Sequence, residues 1–191
     1  CVIGEFEKGP VDVPTRIGSP VELVEKFGDV GPDGNGAYYK GALSLLGKLS
    51  RRFQLYVVRV SNATQASATV DMDDGAGSPV DVLRVTAISP GAWGNSLRAQ
   101  ALAATDGDAG HFDLEIILGT ETVERWRNLD LFDYAVNDNL VPLSKYVTAT
   151  KLAEGDGVPD LTLDALSSGA DGTFADADYT GSSSDNRGIR T

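Results

Sequence analysis

Residues 88–97 read Ile88-Ser89-Pro90-Gly91-Ala92-Trp93-Gly94-Asn95-Ser96-Leu97, a run dense in conformational constraint. Pro90-Gly91 forces a turn, because proline presets φ and glycine reaches the conformations other residues avoid. Gly94-Asn95 supplies a second place where a positive φ is easy. Trp93 between them is a large apolar anchor whose indole N–H needs an acceptor once buried. The expected product is a rigid corner joining two strands. Its architectural residues are Ser89, Pro90, Gly91, Trp93, Gly94 and Asn95.

Around this corner the chain reads as strands. Segments near 80–88, 96–103, 111–118, 121–127 and 145–150 are short and bounded by turn residues. Leu97, Ala99, Ala101 and Ala103 share one face of the second segment; Phe112, Leu114, Ile116 and Leu118 share one face of the third. Alternation with a turn every ten or so residues indicates an antiparallel sandwich or barrel. A brief helical stretch near Leu131–Val136 interrupts it. Ser61 to Thr69 is small and polar, and Asp71 to Ser78 reads as an acidic glycine loop. From Glu154 onward the chain is loop-rich, and the tail from Gly181 to Gly188 has no core pattern.

The first sixty residues have a different texture. Residues 1–7 and 12–17 look extended, joined by the Lys8-Gly9-Pro10 turn. Ser19 then reads as an N-cap, with Pro20 at the first helical position and Glu22 completing a capping box. Val21, Val24 and Phe27 form the apolar stripe of that helix, and Gly28 is a natural stop. A second helix is expected from Ala37 to Leu49, with Tyr38, Ala42, Leu45, Leu46 and Leu49 on one face. The apolar run Leu55 to Val58 predicts a strand covered on both faces. The fold expected is therefore α+β. A small α/β domain is formed by the chain ends, residues 1–61 plus 150–191, with an antiparallel β-sandwich or barrel, 62–149, inserted between them.

Size and charge bound what such a fold can do. A chain of 191 residues buries roughly 70% of its unfolded surface, enough for a sizeable core. No apolar run approaches the ~20 residues that cross a bilayer. The 22 glycines are about 12% of the chain against a usual ~7%, as a turn-rich protein requires. Residues 1–60 hold 8 basic and 7 acidic groups, whereas 61–191 hold 8 and 21, a net of −13. Such a field repels phosphate, so nucleic acid and anionic membrane are not expected partners. The single cysteine, Cys1, cannot close an internal disulfide, and with only His111 beside it no ordinary zinc set exists. The sequence begins without methionine and its first strand starts abruptly, which suggests an excised piece of something longer.

The candidates for chemistry are few. His111 and Asp113 form an H-x-D pair whose side chains would share a strand face, but no Gly-x-Ser-x-Gly elbow accompanies them. An exposed strand histidine with an unperturbed imidazole is expected. Acidic loops at Asp71, Asp73 and Asp74, at Asp106 and Asp108, and at Asp156 and Asp160 are possible calcium ligands. Asp71-Met-Asp-Asp-Gly75 misses the EF-hand spacing by one residue, so solvated turns are expected instead. Gly31-Pro-Asp-Gly-Asn-Gly36 lacks the lysine of a P-loop, and Asp33 would repel an anion at the following helix. Asn62-Ala-Thr64 is a formal glycosylation sequon. Carboxylate pairs are abundant, and abundance by itself identifies no acid or base. No catalytic residue, cofactor or metal is assigned, and the expectation is a scaffold rather than an enzyme.

The run Ser89-Pro90-Gly91-Ala92-Trp93-Gly94-Asn95 closely resembles the Ser-Pro-Gly-X-Trp-Gly-Asn motif of contractile tail sheath proteins of tailed phages and related injection particles. Weaker pieces follow in matching order. Glu7-Lys8-Gly9-Pro10-Val11 is similar to an early family segment and Ser19 through Gly28 to its first helix. Arg51-Arg52 with Tyr56-Val57-Val58-Arg59-Val60 resembles a family strand. Glu124 with Asn128-Leu129, Gly169-Ala170-Asp171-Gly172, and Asp178-Tyr179-X-Gly181 resemble later elements.

The resemblance implies a structural subunit that stacks in rings around a tail tube, locks to its neighbours by terminal arms, and contracts when a baseplate fires. The implied partners are other sheath subunits, the tail tube protein and the baseplate. The implied location is the virion tail sheath, with assembly in the host cytoplasm, for phage and prophage particles alike. Those arms would lie outside residues 1–191, so this piece is expected to be monomeric or weakly associating. The alternative is a tail-associated β module that binds a surface or carbohydrate without catalysis, with Trp126, Tyr134 and Tyr146 as its aromatic candidates.

Overall fold

The computed structural model describes residues 1–29, 36–48, 54–131, 136, 140, 143–152 and 157–180. The chain divides into two compact units. Unit 1 comprises Cys1–Ala66, Ser89–Gly91 and Ala170–Thr191; unit 2 comprises Ser67–Ile88 and Ala92–Gly169. These bounds differ from the expected 62–149 for the insertion. Val147–Lys151 and Leu163–Ala165 are both hydrogen-bonded into the sheets of unit 2, which carries its limit to Gly169.

Unit 1 is a three-stranded sheet with helices on one face. Strand β1 (Val2–Gly4) runs parallel to the central β3 (Leu55–Arg59), and β2 (Thr15–Ile17) pairs antiparallel on the other side. Between β2 and β3 lie α1 (Pro20–Phe27) and α2 (Ala37–Lys48). The Ser19 hydroxyl accepts the Glu22 N–H at 3.2 Å, as an N-cap should. The return bond of the capping box falls one residue early: the Glu22 carboxylate accepts from Gly18 N–H at 2.8 Å.

Which face of α1 is buried differs from the expected stripe. Leu23 and Phe27 are sealed in the core, whereas Val21 is 76% exposed and Val24 also faces outward. The i, i+4 pair wins because it points at Phe6, Ile17, Leu55 and Val57, the apolar face of the sheet. In α2 the packed residues are Tyr38, Tyr39, Ala42, Leu43 and Leu46; Leu45 turns outward, and Leu49 lies outside the described residues. Strand β3 alternates after all. Leu55, Val57 and Arg59 are buried, while Tyr56, 40% exposed, lies opposite the exposed Arg16. The helices cover one face only, so the apolar run does not mark a doubly covered strand.

Unit 2 consists of two antiparallel sheets. One has the order β4 (Thr69–Asp73), β5 (Asp81–Ala87), β9 (Val147–Lys151). The other has the order β10 (Leu163–Ala165), β6 (Leu97–Ala103), β7 (Phe112–Leu118), β8 (Glu121–Leu129). Their inner faces share one sandwich-like core that includes Met72, Leu83, Val85, Leu97, Ala99, Phe112, Leu114, Ile116 and Val147. Strands β4 and β10 were not evident from sequence, since one lies in an acidic stretch and the other among loops. Both are carried by pairing to apolar neighbours rather than by their own pattern. The stretch near Leu131–Val136 is described only at its ends, where Leu131 and Val136 are buried.

The two sheets approach closure on one side and stay open on the other. Thr69 at the start of β4 exchanges both backbone hydrogen bonds with Ser167, just beyond β10, at 2.9 and 3.0 Å. Among the described residues no ladder joins β8 to β9. There the Glu124 carboxylate of β8 accepts from Ser144 Oγ at 2.6 Å and from Lys145 N–H at 2.8 Å, immediately before β9. The Ser144 hydroxyl in turn accepts from Val147 N–H at 3.0 Å. A side chain thus bridges the margin that a backbone ladder leaves open.

Hydrogen bonds to a charged group contribute about 1.5–3 kcal/mol. Glu124→Ala is therefore expected to lower unfolding free energy by about that amount, measured by urea denaturation. Faster amide exchange at Lys145 and Val147 is expected to accompany it.

Candidate functional site

The residues that the sequence singles out around Trp93 have architectural roles, each within its own unit. Strands β5 and β6 belong to different sheets, and residues 88–96 make the crossing between them. The corner is a turn at Ser89–Gly91 followed by a short 3-10 helix, Ala92–Ser96. Its residues are divided between the two units, Ser89 to Gly91 with unit 1 and Ala92 to Asn95 with unit 2.

Each residue has a distinct task. The buried Ser89 Oγ accepts the Gly9 N–H at 3.0 Å. Gly91, at φ 134°, donates its N–H to the Ala66 carbonyl at 3.0 Å. Pro90, half-buried, initiates the turn. Trp93 is 8% exposed and belongs to the core of unit 2. Neither Gly94 nor Asn95 has a positive φ, contrary to the expectation for that pair. Gly94 is needed for room: a Cβ there would stand 2.8 Å from Ala68 Cβ and 2.9 Å from Ala87 Cβ. Asn95 uses its whole amide, donating from Nδ2 to the Gly169 carbonyl at 2.9 Å and accepting the Gly169 N–H at 2.8 Å.

The Gly169-Ala170-Asp171-Gly172 run is held within each unit by that unit's own contacts. Gly169 is held by Asn95, and Ala170 exchanges backbone bonds with Ala66 at 3.0 and 2.9 Å. The Asp171 carbonyl accepts from Asn62 Nδ2 at 2.9 Å. Gly172, at φ 73°, passes so close that a Cβ would lie 2.1 Å from Asn62 Oδ1. Asn62 is therefore a buried structural amide, and its sequon is not a free acceptor in the folded chain.

Arg59 is fully buried on β3. Its Nη1 donates to the Gly9 carbonyl at 3.3 Å. Burial pushes its pKa down to about 10, against the opposing attraction of Asp171 and Glu7. Within unit 1, Tyr179 on α3 (Asp176–Thr180) donates its hydroxyl hydrogen to Glu5, and its oxygen lies 3.1 Å from the Tyr38 hydroxyl. Burial, then the Glu5 carboxylate, raise the Tyr179 pKa. No sequence signal marks this chain of groups, because its members are far apart along the sequence.

The chemical candidates separate. His111 and Asp113 do not pair. His111 Nδ1 lies 2.7 Å from Asp106 Oδ2, and that hydrogen bond raises its pKa, so the imidazole is perturbed where it was expected to be ordinary. The Asp113 carboxylate is buried and accepts from Thr105 Oγ1 at 2.6 Å, Asn128 N–H at 3.0 Å and Thr105 N–H at 3.2 Å. Burial opposes its ionisation, but those hydrogen bonds and Arg125 outweigh it and hold the pKa below the ordinary value.

The acidic loops are likewise occupied. Asp71 forms a two-point pair with Arg84, its cross-strand partner, at 2.6 Å on both oxygens. Asp73 and Asp74 accept backbone N–H groups within their own turn. Among the described residues no group of three or more His, Cys, Asp or Glu side chains is set to hold a metal. Asp33, with most of the Gly31–Gly36 loop, Arg51, Arg52, Tyr134, Asp156 and Gly181 lie outside the described residues. Trp126 and Tyr146 are packed against the core of unit 2, with the Trp126 N–H on Glu124 at 3.2 Å, so they do not present an exposed aromatic platform. No helix among the described residues is long and apolar enough to cross a membrane.

No protein-family profile matches the sequence, and no curated protein matches it. Among solved structures the chain is similar to the sheath tail protein of Listeria innocua, with a TM-score of 0.59 and 16% identity. That match covers 88% of this chain and 33% of the other. It is similar also to the sheath tail protein of Desulfitobacterium hafniense, with a TM-score of 0.58 and 17% identity, covering 91% of this chain and 36% of that one. The chain has the fold of part of these proteins and spans about a third of their length.

Two measurements check the site. Trp93→Ala is expected to cost about 3–5 kcal/mol, the range for a buried aromatic, and Gly94→Ala about 1–3 kcal/mol from overpacking, both read from denaturant unfolding. In an NMR titration, His111 is expected to titrate above its usual value, and Asp106→Asn should return it toward that value. With a raised folded pKa, the His111–Asp106 contribution to stability is present below the unfolded pKa of about 6.5. It is lost as pH rises through the folded value.

Proposed function

We propose that this chain is a segment of a structural subunit of a contractile tail sheath, which polymerises around a tail tube and shortens to drive that tube into a target cell. The observation that carries the reading is the fold likeness to two sheath tail proteins over 88% and 91% of the chain. The roles of the motif residues agree with it: Ser89 and Asn95 tie down backbone groups with their side chains, Gly91 bonds backbone to backbone, and Gly94 leaves room for a close approach, as a scaffold requires. On this reading the protein works mechanically, without a catalytic step or cofactor. Its partners are other sheath subunits, the tail tube protein and the baseplate, and its place is the virion tail, reached from the host cytoplasm.

Charge fits such a part. Unit 1 has 10 Lys+Arg against 11 Asp+Glu, net −1, and unit 2 has 6 against 17, net −11. A surface so acidic repels its own copies and keeps long particles from sticking to one another. Electron microscopy of the full-length protein that carries this segment is expected to show hollow striated tubes; a protein that stays dispersed under all assembly conditions would refute the reading. Residues 1–191 alone are expected to sediment as a monomer or a weak, concentration-dependent species. A tight, salt-resistant hexamer would place the ring contacts within this segment instead.

A further inference from the structure

Residues near the two ends of the chain are bonded to each other within unit 1. Strand β1 leads directly to Glu5, which accepts the Tyr179 hydroxyl, and Tyr179 also meets Tyr38 of α2 at 3.1 Å. The ring of Phe174 stands 6.4 Å from that of Tyr179. Moving back along the C-terminal segment, Thr173 donates its N–H to Thr64 Oγ1 at 3.1 Å, and the Asp171 carbonyl accepts from Asn62 at 2.9 Å. Asp171 also attracts the buried Arg59. The segment ends in the reciprocal pair between Ala66 and Ala170, which flank a span made of unit 2 and the short unit 1 stretch Ser89–Gly91. Unit 2 is closed at its own entrance in the same way, by Thr69 with Ser167 and by Asn95 with Gly169.

We propose that the contacts from Glu5–Tyr179–Tyr38 through Ala66–Ala170 act as a mechanical clasp. Tension applied to the two chain ends is carried across unit 1 and does not reach unit 2 until the clasp opens. Along the covalent chain, a pull on residues 1 and 180 reaches residues 67–169 only through residues 66 and 170, and those two are held together; Ser89–Gly91, within that span, is itself bonded inside unit 1 to Gly9 and Ala66. The inference concerns one chain and goes beyond the sheath reading; it stands or falls independently of whether the protein polymerises.

Single-molecule pulling of the full chain tests it. The lone exposed Cys1 serves as one handle and Thr191→Cys as the other. The 103 residues from Ser67 to Gly169, 100 of them in unit 2, extend to about 370 Å at ~3.6 Å per residue, a step that distinguishes release of this span from that of the rest of the chain. The expected trace releases unit 1 segments first and the unit 2 length only afterwards. Tyr179→Phe, which removes both hydroxyl contacts and keeps the ring, is expected to lower the force of the first event and leave the unit 2 event unchanged. A unit 2 step that comes first in the chain with Tyr179 intact overturns the proposal, and that readout does not depend on how the Tyr179→Phe variant folds. An unchanged first-event force in Tyr179→Phe overturns the part assigned to Tyr179.

Discussion

The backbone bonds between Ala66 and Ala170 hold together the two points of unit 1 at which the long insertion begins and ends. Two groups on each residue are satisfied by the other, so the chain crosses out and back as a pair with no polar group left open there. The second pair, Thr69 with Ser167, repeats the constraint inside unit 2 and seats β4 beside the residues that follow β10. Gly91 donates to Ala66 in unit 1, and Asn95 grips Gly169 in unit 2. A glycine at position 94 follows, because the 3-10 turn presses against Ala68 and Ala87.

Polar groups complete the sheets of unit 2 where apolar packing stops. Asp113 is fully buried as a carboxylate on β7. An isolated buried charge would be too costly, but hydrogen bonds from Thr105 and Asn128 and the cation of Arg125 supply what water would have given. In return it fixes the loop after β6 and the left-handed turn at Asn128, φ 52°. Glu124 serves the same purpose at the margin between β8 and β9. The bidentate Asp71–Arg84 pair lies on the solvent side, where a large share of its Coulomb energy is lost to screening. Its geometric effect is to favour the β4–β5 register.

These details explain how much of the candidate site was legible. Turn chemistry and bulk around Pro90, Gly91 and Trp93 are local properties, so a change of chain direction there was readable. The reason for Gly94 was not, because the methyl groups it must clear belong to residues 26 and 7 positions earlier. The His111–Asp113 pairing failed for a comparable reason: spacing along a strand places two side chains on one face, but Thr105, Asn128 and Asp106 compete for them. In α1, Val21 and Leu23 are both apolar, and only the position of the sheet selects Leu23.

By itself the sequence determined the alternation of β6 and β7, the capped start of α1, the corner at Ser89–Asn95 and the division between a near-neutral part and an acidic one. Each follows from periodicity, φ preference or charge within a short window. Tertiary structure alone decided that β4 and β10 are strands, that β3 is covered on one face, and that Arg59, Asn62, Glu5 and Tyr179 fasten distant segments. Those outcomes depend on partners up to 174 residues away. Hydrogen-bond satisfaction and burial are properties of the assembled neighbourhood, and a local window of sequence does not contain them.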